Sequence, residues 1–345
     1  MNPAEWLARR VDAAQQRHQP TSFLVGVIKK YGDDNAGVLV TNLAYAAFIS
    51  VFPLLLILVT VLVNIAADDP SLRAHIISGA TSQFPYLGRQ LADNIHALRR
   101  STVAGLVVGL LLLVWGVTRL AQAGMFTMAQ IWNLPGPDRL GYIPRLGRSV
   151  AFLLVLALGV AVSTLLAGLV TFGHHAFAFR GLAQVLAGLA NIALYYLGFR
   201  VLTPKAVRTR QLLPGVLAGG VFWSVLQAVG AYLVHHYLRA DSVYGTVFGT
   251  VLGLLAWIYV GAESTVYAAE INVVLAHRLW PRGLVQPPLT AADRASMTLQ
   301  ALQNQRRPEQ LVEVSYSDVE AGPAASTAAH AAPRDHVPPQ PTLGR

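Results

Sequence analysis

Apolar and polar positions separate along this chain into long blocks rather than short alternations. Six runs of about 20 residues or more are almost wholly apolar, near 38–66, 103–124, 149–173, 182–202, 212–236 and 246–275. This is the length a helix needs to cross a hydrocarbon layer of about 30 Å. A backbone inside lipid must satisfy its own hydrogen bonds. The runs are therefore expected to be helices, and the fold an all-α polytopic membrane protein with six transmembrane helices. Ahead of them, residues 1–37 carry apolar residues at helical spacing: Trp6, Leu7 and Val11, then Phe23, Leu24, Val27, Ile28 and Tyr31. Two short interfacial helices are expected there. Between the first two runs, residues 67–100 have an apolar side through Ile76, Phe84, Leu91 and Leu98, and read as external amphipathic helices. Residues 281–345 place Asp293 three after Thr290, a box-like helix cap, and turn Pro- and Ala-rich from about Gly322, as disordered tails do. Three regions follow: 1–37, a transmembrane domain at 38–280, and a cytoplasmic, largely disordered 281–345.

Composition agrees with this division. Of 345 residues, 54% are hydrophobic and only 12% charged, against about a quarter charged in soluble domains. There is no cysteine, so neither a disulfide nor a thiolate metal site is available. The net charge of +9 raises the question of nucleic acid, but its distribution answers otherwise. Lys and Arg flanking the runs fall mostly on the side that carries both termini, which marks that side as cytoplasmic. Topology and contact with anionic lipid headgroups account for the basic excess, and no nucleic-acid partner is expected.

The last run contains the most organised pattern. Gly245, Gly249 and Gly253 recur every fourth residue on one helical stripe, which continues to Glu263 and Glu270. Small residues at that spacing let another helix come close, so these glycines are expected to form a packing face. Carboxylates on the same stripe should face protein rather than lipid. Arg119, in the second run, lies at comparable depth and is expected to pair with Glu263 or Glu270. Arg119, Glu263, Glu270 and Asn272 form the candidate intramembrane polar cluster. In the first run Pro53 removes a backbone hydrogen bond, with Asn42, Tyr45 and Ser50 ahead of it. A helix broken there would line a cavity, as in transporters. Ordinary re-satisfaction of freed carbonyls is the alternative. His174, His175, His235 and His236 end two runs on the external side. Imidazole suits metals, but adjacent histidines diverge on a helix, so interfacial histidines are expected and no metal is assigned.

Two of these stretches carry a resemblance. TNLAYAAFISVFPLLL, preceded by Asp33 and Asp34, and DSVYGTVFGTVLGLLAWIYVGAESTVYAAEIN resemble the YihY/BrkB family of bacterial inner-membrane proteins over about residues 20–280. Tyr244, Gly245, Glu270 and Asn272 stand at positions similar to the family's tyrosine–glycine pair and late glutamate with its asparagine. The resemblance implies six spans, inward termini and the cytoplasmic membrane. The family once carried a ribonuclease BN label regarded as mistaken, so no molecular activity is implied.

No phosphate-binding P-loop, dinucleotide fingerprint or HExxH occurs, and no nucleophile stands beside a base. No enzyme activity and no cofactor are expected. The foremost expectation is movement of a small solute or lipid through a polar cavity. A non-transporting structural or lipid-organising envelope protein is the rival, and a membrane-embedded enzyme or nuclease a third reading. Expected partners are membrane lipids, with self-association left open and the substrate unidentified.

Overall fold

A computed structural model describes residues 3–68, 102–139, 141–172, 177–237, 246–286 and 288–316. Among them every regular element is helical. Two amphipathic helices open the chain, α1 (Pro3–Arg17) and α2 (Gln19–Asp33). Pro20 in the first turn of α2 has the fixed φ that a helix start accepts. Asn35, at φ 50°, turns the chain between α2 and α3. Then come α3 (Ala36–Asp68), α4 (Thr102–Ile131), α5 (Tyr142–Phe172), α6 (Phe177–Leu202), α7 (Thr209–Tyr237) and α8 (Thr246–His277). A short 3-10 turn at Gly136–Asp138 separates α4 from α5. The last helix, α9 (Ala291–Gln303), starts where the Thr290–Asp293 spacing places it, with both bonds of a capping box formed.

Five helices are long and apolar enough to cross a membrane among the described residues: Ala36–Leu54, Val107–Ile131, Tyr142–Gly159, Val185–Leu202 and Val251–His277. The sixth expected run coincides with α7, 29 residues long. The apolar side chains of this surface, such as Leu111, Leu154, Val185 and Val221, are exposed, as befits helices whose outer solvent is hydrocarbon. Residues 69–100 of the expected external segment, Tyr244 and Gly245, and His174 and His175 lie outside the described residues, as does the tail beyond 316.

The core runs along α3, α4, α7 and α8. Helix α3 packs on α4 and α8, and α7 packs between α6 and α8. Among the residues whose side chains are described, its best-buried, including Val40, Ile131, Leu212, Val216, Val266, Val273 and Leu279, lie at one end of the bundle. There α2 lies against α8 and α3. This end, where α1, α2 and α9 gather, is the polar end.

One expectation about backbone shape changes. Pro53 does not break α3, which runs continuously through it. Ser50 Oγ donates to Ala46 O at 2.7 Å, and Ser50 and Pro53 abut α4 where Gly116 leaves room. A Cβ on Gly116 would lie 3.2 Å from Ser50 Cα and 3.9 Å from Pro53 Cγ. The proline-containing turn thus stays helical while packed closely on a neighbouring helix. Of the three glycines expected to form a packing face, Gly253 is the one whose surroundings are described. A Cβ on Gly253 would meet nothing within 4 Å, whereas one on Gly215 would lie 1.9 Å from Ala268 O. One on Gly219 would lie 2.6 Å from Tyr195, and one on Gly220 2.7 Å from Ile192. The tight crossing is therefore α6–α7–α8 at the polar end, built on α7's glycines.

Candidate functional site

Lys30 is the centre of the polar end. Helix α2 carries it inward until its side chain is fully buried. Its Nζ donates to Ile131 O at the end of α4, 3.1 Å away, and pairs with Asp34 one turn on. It also lies 3.9 Å from Glu270 Oε2 on α8, whose side chain is fully buried too. Among the described residues neither Glu270 oxygen accepts a hydrogen bond. A buried ammonium thus stands between two carboxylates, at a depth where an unpaired charge would be costly.

Around this centre the chain segment after α8 is pinned by charged bonds. Arg282 is among the most completely buried large side chains, 1% exposed. Its Nη1 reaches Asp33 at 2.5 Å and its Nε reaches Asp293 at 2.9 Å. Asp293 also accepts from Gly283 N and from the backbone and hydroxyl of Thr290. Burial alone would raise its pKa, but these bonds outweigh burial and hold it below the usual carboxylate value. Lys29 donates to the Gly283 carbonyl and lies 3.7 Å from Asp293. Asp12 on α1 accepts from Leu284 N and Val285 N. It too is held low, its hydrogen bonds, including those from Gln15 and Gln16, outweighing desolvation. Asn133 Nδ2 joins Asp34 at 3.1 Å to Gln303 at 3.0 Å, and Gln303 in turn donates to Gln130. One network thus ties α1, α2, α4, α8 and α9 together.

The sequence-predicted residues are distributed differently. Glu270 is in the centre, but its cation is Lys30. Arg119 is exposed on α4, with its guanidinium 5.5 Å from the Trp115 ring centroid. Asn272 is a helix clamp: its Oδ1 accepts from Gly215 N at 2.6 Å, the residue after the donor-less Pro214. Its Nδ2 has no hydrogen-bond partner among the described residues. Asn42 and Tyr45 are exposed on α3, and Ser50 and Pro53 are buried against α4. His235 and His236 belong to the last turn of α7. Among the described residues no group of His, Cys, Asp and Glu could hold a metal.

Glu263 stands two turns from Glu270, about 10.5 Å along the axis, and opens onto a cavity of about 380 Å³ between α7 and α8. The walls are Ala218, Gly219 and Phe222 from one helix and Val260, Tyr267 and Ile271 from the other. Tyr267 stacks on Tyr31 of α2, centroids 4.4 Å apart and planes 11° from parallel. The Tyr31 phenol is pushed up to about 12, by burial first and then by Glu263, the neighbouring tyrosines and Glu270. The groove and the ionic network thus meet at Tyr31.

Lys30 and Arg282 were legible only as charges flanking the spans, Asp293 as a helix cap, and Asp33 as half of an acidic pair. The usable signals were the four-residue spacing of Lys30 and Asp34, and the acidic pair placed just before the first span.

Comparison with known proteins agrees with the fold. The chain is 24% identical over 302 residues to a UPF0761 membrane protein of Xanthomonas campestris pv. campestris (strain 8004), covering 82% of this chain and 67% of that protein. A UPF0761 membrane protein of Xanthomonas euvesicatoria pv. vesicatoria (strain 85-10) matches to the same extent. Inner membrane protein YhjD of Escherichia coli (strain K12) is 23% identical over 296 residues, covering 79% of this chain and 87% of its own. None of these names carries an enzymatic activity. No solved structure gives a significant match. The family model described as virulence factor BrkB matches residues 27–291, from α2 to the start of α9. The chain is an integral bacterial inner-membrane protein that belongs to the BrkB family.

Proposed function

We propose that this protein takes a lipid-like amphiphile bearing a cationic or hydrogen-bond-donating group into the α7–α8 groove and moves it across the membrane. In this reading α7 is the sixth span, the polar end faces the cytoplasm and the protein is not an enzyme. The supporting observation is Glu263, a half-buried carboxylate on a groove with otherwise largely apolar walls. Apolar walls favour an acyl or isoprenoid chain, and a carboxylate at that depth favours a partner of opposite charge or a donor. A water-soluble solute fits less well, because α3 is continuous at Pro53 and Ser50 packs on α4.

The rival is a lipid-organising protein that holds such a molecule without moving it. The ionic network, which ties five helices into one clasp, favours a rigid role of that kind. The test is reconstitution into phosphatidylcholine vesicles carrying a trace of fluorescent phosphatidylethanolamine, with leaflet exchange read by a membrane-impermeant quencher. Protein-dependent exchange, lost in Glu263→Gln, is expected. Exchange indifferent to that substitution sinks the role of the groove. Glu263-dependent crosslinking of a photoactivatable aminolipid without exchange selects the rival.

A further inference from the structure

The polar end contains a second cavity, unrelated to the groove. It measures about 400 Å³ and lies between the α4–α5 connection and the chain leaving α9. Arg139 and Arg306 line it together with the carboxamides of Gln130, Gln303, Asn304 and Gln305. None of its lining residues is acidic, and none has an apolar side chain beyond a glycine.

The enclosure is built by specific contacts. Gly136 N donates to Gln305 O at 2.7 Å. A Cβ on Gly136 would sit 3.0 Å from that oxygen and 3.1 Å from Arg306 Cα, so a side chain there would press the two segments apart. Arg139 is held in place: its Nη2 donates to Gln130 Oε1 at 2.8 Å and its Nε to Leu134 O at 3.3 Å. Both acceptors are neutral, and a guanidinium has five N–H donors, so most of its donor capacity and all of its charge remain. Burial, and after it the nearby charges of Arg145 and Arg306, press the Arg139 pKa downward. Like charges so gathered repel one another, and a bound anion would relieve that repulsion.

The chemistry narrows the anion. Planar guanidinium groups and amide N–H donors match a tetrahedral phosphate, which offers several oxygens at once. The remaining carboxamides can exchange hydrogen bonds with hydroxyl groups. The volume suits a phosphate with a glycerol- or sugar-sized substituent, not a whole lipid. The position suits the headgroup layer, since Gln130 ends one candidate span and Arg139 stands just before the next, which begins at Tyr142.

We propose that this cavity is a phosphate-monoester site, with Arg139 and Arg306 as the partners of the phosphate. Its ligand is either the headgroup of a phosphate-monoester lipid or a water-soluble phosphate ester. Occupancy would reach the buried network through one short relay. Gln303 bonds Gln130 and Asn133, and Asn133 bonds Asp34, the partner of Lys30.

The test uses the full chain purified in detergent and in phosphatidylcholine nanodiscs. Two probes are titrated, glycerol 3-phosphate in solution and phosphatidic acid in the nanodisc, with affinity read by calorimetry and by thermal shift. Wild type should bind at least one of them. Arg306→Gln, at an exposed position after α9, should weaken binding roughly tenfold, as losing one charge-assisted contact does. Arg210→Gln removes the same charge at the start of α7 and should leave affinity unchanged. Binding of glycerol 3-phosphate places the source in solution. Binding of phosphatidic acid alone places it in the membrane. Absence of binding to both overturns the proposal, as does equal weakening by Arg306→Gln and Arg210→Gln, which would mark a general basic surface. Arg139→Gln serves as a second variant, with its folding checked by thermal denaturation.

Discussion

Lys30 on α2 and Glu270 on α8 stand 3.9 Å apart, both with side chains wholly excluded from solvent. The separation is too long for a hydrogen bond and short enough for a strong Coulombic attraction in a low dielectric. The close bonds of Lys30 go to Asp34 and to the end of α4, so one ammonium serves three elements.

Lys30→Met should therefore be severe, costing about 3–5 kcal/mol, because it leaves buried carboxylates without their cation. Glu270→Gln should cost about 1 kcal/mol or less, since Lys30 keeps Asp34. Combining the two should be less harmful than their sum. Reversible unfolding in mixed detergent micelles measures all three, and strict additivity would mean that the two side chains are not coupled.

Gly215 and Gly253 should respond in opposite ways to alanine. At Gly215 the new Cβ would meet the Ala268 carbonyl at 1.9 Å and the Asn272 side chain at 2.5 Å, so α7 must leave α8. Loss of folded protein, seen by size-exclusion chromatography, is the expected result. At Gly253 nothing lies within 4 Å, and alanine should be neutral or gain up to about 1 kcal/mol from helix propensity.

The carboxyl of Asp293 is held below its ordinary value. A depressed carboxylate contributes stability that is fully present above the unfolded pKa, about 3.9, and is lost as pH falls through the folded value. The melting-temperature advantage of wild type over Asp293→Asn should be flat from neutrality to about pH 5 and shrink below about pH 4. An advantage that persists unchanged to lower pH would show that the charge is not what the bonds recognise.

The opposite sign applies to Tyr31. Its phenol, at about 12 in the folded protein, ionises near 10 when unfolded. Its contribution is complete below about pH 10 and lost as pH rises toward 12. An ultraviolet difference titration of wild type against Tyr31→Phe should place its ionisation above that of an ordinary tyrosine.

The absence of cysteine makes labelling of single introduced thiols clean. Ser50→Cys, packed on Gly116, should resist a membrane-impermeant thiol reagent until the protein is unfolded. Rapid labelling in the native state would reveal a water path beside α3 and return a soluble substrate to consideration.

The helices were legible because an apolar run of span length leaves few alternatives, and the Thr290 cap because its signature is local. Pro53 reads as a break when its neighbours are unknown, yet α3 is helical on both sides of it, with Gly116 of another helix packed against it. The glycine stripe shows a similar gap between pattern and partner: period four announces a face without saying whether this chain covers it, and at Gly253 nothing lies close. The ionic network was hidden by its own composition. Lys30 and Arg282 fit the basic excess flanking membrane spans, which treats every cation as exposed. Only their distant partners, Glu270 for one and Asp33 for the other, reveal them as interior residues.

The double grip of Arg282 on Asp33 and Asp293 also sets an order of events during synthesis. Asp33 leaves the ribosome early, and its counterion emerges only after the last membrane span has been made. The two bridges of Arg282 can therefore close only once α8 and the segment after it have been made.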